Sequence, residues 1–203
     1  MKVTVLGASG RAGSQIVKEL ALRGHQVTGV ARHPEKIPAG ENITAVAGDV
    51  KQPDTVRSAL TGADAVVSAI MFADTQPEQM IDLVKSAHVP RYLVVGGAGS
   101  LEVAPSVKLI DTPEFPEAYK AEASAGSLFL DRLKQEEDLD WTFLSPSALF
   151  DGNQRTGTFR LGSHQLLSDA DGNSAISFPD YAIAMVDEIE TPAHSRTRFT
   201  VGY

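Results

Sequence analysis

The sequence predicts an α/β fold, a doubly wound and mostly parallel sheet with helices on both faces, and three observations point to it. Short apolar runs recur along the chain, with one-sided helical spacing between them. The first run, at 2–6, leads straight into the turn Gly7-Ala8-Ser9-Gly10-Arg11-Ala12-Gly13, and helical spacing follows at Ile16, Val17 and Leu20. Length is the third: 203 residues make one such domain, burying about 70% of its unfolded surface, and leave little for a second.

Taken in order, strands are expected at 2–6, 26–30, 43–47, 65–69, 91–95 and 141–145. Gly24 closes the first helix as the residue just past its end. Met80, Leu83, Val84 and Ala87 give a later helix one apolar face, and Ala182, Met185, Val186 and Ile189 do the same for the last, whose other faces are expected to be solvated. Ser177 with Asp180 three residues on has the form of a capping pair. Two segments, 96–117 and 146–173, interrupt the alternation, and both begin where a strand ends. In an open parallel sheet that edge is where ligands bind. The second segment offers short strands at 158–161 and 165–167 and a hairpin turn at Asp171-Gly172. It is expected to form a small cap, about residues 146–177, on a single domain spanning 1–203. Asp169 to Asn173 superficially matches a calcium loop, but its glycine falls two positions early and Asp180 stands where a bidentate Glu belongs, so no metal is expected.

Composition excludes several classes. A net charge of −8 opposes a nucleic-acid partner, whose backbone demands clustered Lys and Arg. The absence of cysteine excludes disulfides, thiolate metal sites and a cysteine nucleophile, and suits a cytoplasmic setting. No run approaches the ~18 apolar residues of a membrane span, and no membrane partner is expected.

The glycine turn carries the chemistry. Three glycines spaced by three, between a strand and a helix, suit a dinucleotide pyrophosphate: Gly7 for the tight turn, Gly10 for close approach of the phosphates, Gly13 for helix packing. The helix N-terminus adds free N–H donors and the positive dipole end, which brings Ser9, Arg11 and Ala12 to the ligand. The same pattern also serves a tight turn that binds nothing. After the second strand the chain reads Val30-Ala31-Arg32-His33, with Arg32 where proteins that prefer NAD place a carboxylate for the ribose hydroxyls. Arg32 offers planar donors to a ribose 2′-phosphate, and Arg11 can reach the same side, which favours NADP while leaving NAD possible. The alternative is that both are solvated surface charges. Asp49 and Val50, after the third strand, either border the adenine or, in the case of Asp49, cap the next helix. Ser68 and Ala69 end the fourth strand with side chains small enough to leave the cofactor room.

These residues, with Tyr92-Leu93-Val94-Val95-Gly96-Gly97-Ala98-Gly99-Ser100, Asp111-Thr112-Pro113-Glu114-Phe115-Pro116 and Leu144-Ser145-Pro146, give the chain a resemblance across its length. It resembles the atypical short-chain dehydrogenases with an NmrA-like NAD(P)H-binding domain. Within them it is most similar to bacterial NADH-flavin reductases, and more distantly to biliverdin reductase B. The resemblance implies a Rossmann domain that binds NADP and reduces flavins or related planar acceptors, with the flavin a transient substrate. One departure matters. Typical members of the wider family use Tyr-x-x-x-Lys, whereas Tyr119 is followed four residues later by Ala123, and the adjacent Lys120 does not share its helix face. Carbonyl reduction and epimerisation are then disfavoured relative to direct hydride transfer between stacked rings.

Ser100 is the candidate substrate-facing hydroxyl, or a loop-stabilising serine. Tyr119 is a candidate donor to the substrate, or a partly buried structural tyrosine. Pro146 either lies along the nicotinamide or simply ends its strand. Phe115 and Phe150 form an apolar wall for an isoalloxazine ring, or close loops over the core. The expected function is NADPH-dependent reduction of a flavin or quinone. A non-catalytic sensor of NADP redox state is the alternative, with a nucleotide-sugar epimerase third. The expected partner is a small planar acceptor, with a homodimer the one assembly in view.

Overall fold

Val3, Thr4, Val5 and Leu6 are all buried, so the first strand needs cover on both faces of a sheet. The computed structural model describes residues 1–203, and supplies that cover. In chain order the elements are β1 (Lys2–Leu6), α1 (Arg11–Leu22), β2 (Gln26–Ala31), β3 (Ile43–Ala47), α2 (Asp54–Leu60), β4 (Ala65–Ser68), α3 (Pro77–Ser86) and β5 (Arg91–Val95). Then come β6 (Glu102–Ala104), β7 (Val107–Lys108), α4 (Glu117–Leu133), β8 (Asp140–Ser145), β9 (Leu149–Phe150), β10 (Arg160–Gly162), β11 (Ala175–Ile176), α5 (Phe178–Glu190) and β12 (Thr197–Gly202).

The main sheet runs β10-β12-β8-β5-β4-β1-β2-β3. Every pair in it is parallel except β10 with β12. The chain winds outward from β1 to β3 on one side and from β4 to the far edge on the other, so the order reverses between β1 and β4. That switch point, at the carboxyl ends of the strands, opens the crevice in which such sheets bind ligands. Alternate residues of β1 feed two cores: Val3 and Val5 pack with Ile16, Leu20, Tyr181 and Met185 under α1 and α5, while Leu6 joins Val66, Met80, Val84, Phe129 and Trp141 under α3 and α4.

Local signals explain the helix ends. Gly24 sits past α1 at φ +80°, its N–H on the Ala21 carbonyl and the His25 N–H on that of Leu20. Ser177 caps α5, its Oγ accepting from the Asp180 N–H at 3.2 Å. Asp180 does not return the bond: its buried carboxylate accepts from the Thr156 N–H (2.9 Å), the Gly157 N–H (2.9 Å) and the Tyr203 hydroxyl (2.7 Å). Burial alone would raise its pKa, but these donors outweigh burial and hold the carboxyl below its ordinary value.

Several expectations need correcting. The last helix is not solvated on its outer faces; in α5 only Asp187 and Glu190 are exposed, because α1 packs against the side that the sheet leaves open. Arg23, ending α1, donates to both of these carboxylates at 2.7 Å. The strands expected at 158–161 and 165–167 are in fact β10 at the sheet edge, antiparallel to β12, and a single bridge between Gln165 and Glu102. Asp171-Gly172 is a turn, Gly172 at φ +84°, but not a hairpin: β11 beyond it runs parallel to β9. Asp169 closes that turn on itself, accepting the Asp171 and Asn173 N–H groups. Between β9 and β10 the stretch 151–158 is exposed and, past the Asp151 N–H on the Ile176 carbonyl, pairs with no strand. It is pinned by Asp180 and by Arg155, whose Nη2 lies 3.0 Å from both carboxylate oxygens of Glu19. No helix is long and apolar enough to cross a membrane.

Candidate nucleotide-binding site

The β1–α1 turn is built from two glycines that the fold requires and one that it does not. Gly7 stands at φ +80°, and a Cβ there would meet the Ala69 carbonyl oxygen at 2.4 Å. Its N–H and that of Ala8 both donate to the Val30 carbonyl, which ties the turn to β2. A Cβ on Gly13 would lie 2.2 Å from the Gly7 carbonyl oxygen, so α1 presses directly on the turn. Gly10 differs: its backbone is ordinary extended chain at φ −74°, and the nearest atom to a built Cβ is the Gly7 oxygen at 3.3 Å. Packing asks little of it. Its bareness keeps clear the space outside, over the start of α1.

That space faces unpaired donors. Gly10 is the N-cap of α1 and no side chain caps this end, so the N–H groups of Arg11, Ala12 and Gly13 have no intrahelical acceptor. The Ser9 N–H likewise has no protein partner. Converging donors, a positive dipole end and a missing side chain fit a pyrophosphate.

A cleft of about 190 Å³ extends from this turn between the carboxyl ends of β1, β2, β3 and β4. It brings together Gly7, Ser9, Gly10, Arg32, Asp49, Val50 and Ala69 from the sequence-based set. Arg32 is exposed at its rim. Asp49 does not cap a helix, since α2 begins at Asp54; its Oδ1 accepts the Lys51 N–H at 3.0 Å and its own N–H donates to Thr55 Oγ1 at 2.9 Å. The Val50 carbonyl accepts from Gln79 Nε2 at 2.9 Å. Ser68 is buried behind Ala69 and does not line the cleft.

The expectation that Arg11 and Arg32 serve one side of the nucleotide needs correcting. The Arg11 guanidinium lies 5.0 Å above the Phe178 ring and 3.5 Å from Asp151, and is absent from the cleft wall. Sequence reasoning also missed residues that are present there. Lys51 Nζ is 2.7 Å from Asp74 Oδ1, which joins the loop after β3 to the short helical turn 72–74 after β4. The Lys51 hydrogen bond, then the charges of Lys51 and Arg32, hold the Asp74 carboxyl below the usual range. Both residues lie one loop beyond a strand's carboxyl end, the positional signal that could have found them.

A second group sits beyond β5 and β8. Ser100 is half-buried in the loop after β5, and its hydroxyl has no protein partner. Pro146 is buried directly after β8. Phe115 is half-buried just ahead of α4. Tyr119, in the first turn of α4, is not partly buried but 65% exposed, because that turn projects past the sheet. Lys120 pairs with Glu117 at 2.8 Å. Ala123, four residues after Tyr119, packs its methyl 2.8 Å from where a Gly99 Cβ would be, so α4 rests on the loop that carries Ser100. Glu122 braces the other side, its carboxylate accepting the Phe72 and Ala73 N–H groups at 2.6 and 2.8 Å. Phe150 packs its ring against Phe178 and Tyr181, with centroids 4.5 and 4.6 Å away, and so belongs to the core under α5.

Known proteins share this arrangement. The model of a family described as NAD(P)H-binding matches residues 7–192. YwnB of Bacillus subtilis (strain 168), an uncharacterised protein, is 41% identical over 99% of this chain and 98% of its own. A crystal structure from Bacteroides thetaiotaomicron, described as a candidate epimerase, is 44% identical with a TM-score of 0.93, covering 100% of this chain and 96% of its own. One from Streptococcus pneumoniae TIGR4, described as a candidate NADH-flavin reductase, is 37% identical with a TM-score of 0.85, covering 100% and 99%.

Proposed function

The chain belongs to the NAD(P)H-binding family, and from that premise we propose that it is an NADPH-dependent reductase of planar acceptors, flavins or quinones, that are held only transiently. The observation that carries this reading is Ala123. A carbonyl reductase or epimerase of this architecture needs a proton relay beside the substrate, and here the place four residues after Tyr119 holds a methyl group packed on Gly99. Tyr119 itself is exposed, and the neighbouring Lys120 pairs with Glu117 instead. Hydride transfer between stacked rings needs no such relay.

The chain's own residues then bind and orient. The Ser9, Arg11, Ala12 and Gly13 N–H groups hold the pyrophosphate over Gly10, and Arg32 takes the ribose 2′-phosphate. The reduced nicotinamide supplies the hydride. Ser100 donates its free hydroxyl to the acceptor, Phe115 covers it, and solvent delivers the remaining proton. Likeness to the Streptococcus pneumoniae candidate NADH-flavin reductase supports this assignment. A cytoplasmic site, reducing and rich in NADPH, suits a chain without cysteine. Likeness to the Bacteroides thetaiotaomicron candidate epimerase supports a second reading, epimerisation.

Two assays separate these readings. Purified protein is mixed with NADPH and FMN, FAD, riboflavin or quinones, and the nicotinamide absorbance is followed. Acceptor-dependent oxidation above the free-flavin background supports the reductase, and NADPH binding without oxidation points to a redox sensor. A separate incubation with nucleotide sugars, analysed by chromatography, tests the second reading: interconversion without net oxidation points to the epimerase.

A further inference from the structure

Two loops wall the nucleotide cleft, and a single exposed ion pair joins them. Lys51 and Asp74 meet at 2.7 Å with side chains 52% and 45% exposed. Arg32 lines the same cleft at the same rim but is not ion-paired with Asp74, so Lys51 is the cation that the carboxylate holds. The loops do not need this pair to hold their shape. Gln79 Nε2 already ties the Val50 carbonyl to α3, Asp49 holds the Lys51 N–H, and Glu122 clamps the Phe72 and Ala73 N–H groups. An exposed lysine–carboxylate pair adds little to stability in any case.

We propose that Asp74 is a built-in stand-in for the ribose 2′-phosphate: it holds Lys51 at the rim that Arg32 also lines and yields it to the incoming dianion, so that Lys51 is a second phosphate-binding cation beside Arg32. This rests on the NADPH reading above and extends it to two residues outside the expected set. A phosphate monoester carries more charge than a carboxylate and three strong acceptor oxygens. Arg32 offers it a planar fork, and Lys51 a point charge with no orientation to satisfy. Once displaced, Asp74 regains water at little cost because it is nearly half exposed. Asp74 therefore competes with the phosphate and sets how strongly the site discriminates.

Calorimetric titration with 2′,5′-ADP and with 5′-ADP, which lacks the 2′-phosphate, tests this on the intact chain. Asp74→Asn should raise the ratio of the two affinities about fivefold, and Lys51→Met should lower it about tenfold, with melting temperatures near wild type. A fall in 5′-ADP affinity in Asp74→Asn would make Asp74 an acceptor for ribose hydroxyls and overturn the proposal, as would an unchanged ratio in both variants. If wild type does not distinguish the two nucleotides, the NADPH reading itself fails. If wild type prefers 2′,5′-ADP and neither variant moves the ratio, that reading stands and the stand-in is wrong.

Discussion

Replacing Gly10 by alanine separates binding from folding. The new Cβ would sit 3.3 Å from the Gly7 carbonyl oxygen, on a backbone that any residue adopts, so the fold gives by only a few tenths of an ångström. Alanine is a poorer N-cap than glycine, and the whole cost should stay near ~1 kcal/mol, or about 2–4 °C in Tm for a chain of this size. The methyl group would, however, stand over the Ser9 and first-turn N–H groups. Overfilling a close contact costs about 1–3 kcal/mol, so NADPH affinity should fall between roughly fivefold and a hundredfold. Gly13→Ala is the control. Its Cβ would lie 2.2 Å from backbone that cannot move, and the fold should lose about 3 kcal/mol or more. Thermal melts with calorimetric NADPH titration read both effects. A Gly10→Ala variant that melts as low as Gly13→Ala, or that melts like wild type and binds NADPH equally well, would remove Gly10 from the phosphate site.

Other perturbations test separate links. Wild type should bind NADPH at least about tenfold more tightly than NADH, and Arg32→Glu should invert the order; equal affinities by titration would remove Arg32 from the site. Tyr119→Phe should leave flavin reduction within about twofold, whereas a proton donor would cost about a hundredfold or more in kcat. Asp180 is held below its unfolded value of 3.8, so its stabilisation is complete above about pH 5 and is lost as pH falls through the folded value. Asp180→Asn should therefore lose about 1–3 kcal/mol at pH 7 and show a shallower decline on acidification; parallel pH profiles would mean that the carboxylate does not hold the 151–158 stretch.

The glycine turn was legible because each of its demands is local: a positive φ at Gly7, helix contact at Gly13, clear space at Gly10. The central strands β1, β4, β5 and β8 were legible as apolar runs buried on both faces, and the edge strand β3 as an apolar run that the sheet leaves largely exposed. β12 was not, since Arg198 interrupts its apolar pattern and its place between β8 and β10 is decided by partners far along the chain. Two-residue strands such as β9 and β11 exist only through each other. The grip of Arg155 on Glu19 spans 136 positions and leaves no local trace. In the cleft, Arg32 is marked by its place after a strand, whereas the pairing of Lys51 with Asp74 joins two separate loops and exists only once the fold sets them 2.7 Å apart. Arg11 shows the converse: position put it at the phosphates, while a nearby ring and carboxylate draw its side chain aside.

If hydride passes from NADPH to a planar acceptor without a tyrosine–lysine relay, the step should feel the transferred hydrogen and not the solvent proton. Single-turnover mixing of the protein–NADPH complex with FMN, using NADPH deuterated at the transferred C4 position and, separately, D2O as solvent, distinguishes the two. Deuterium at C4 should slow the loss of nicotinamide absorbance, and D2O should leave it unchanged. A rate slowed by D2O but indifferent to C4 deuterium, or no flavin-dependent loss at all, would contradict direct hydride transfer.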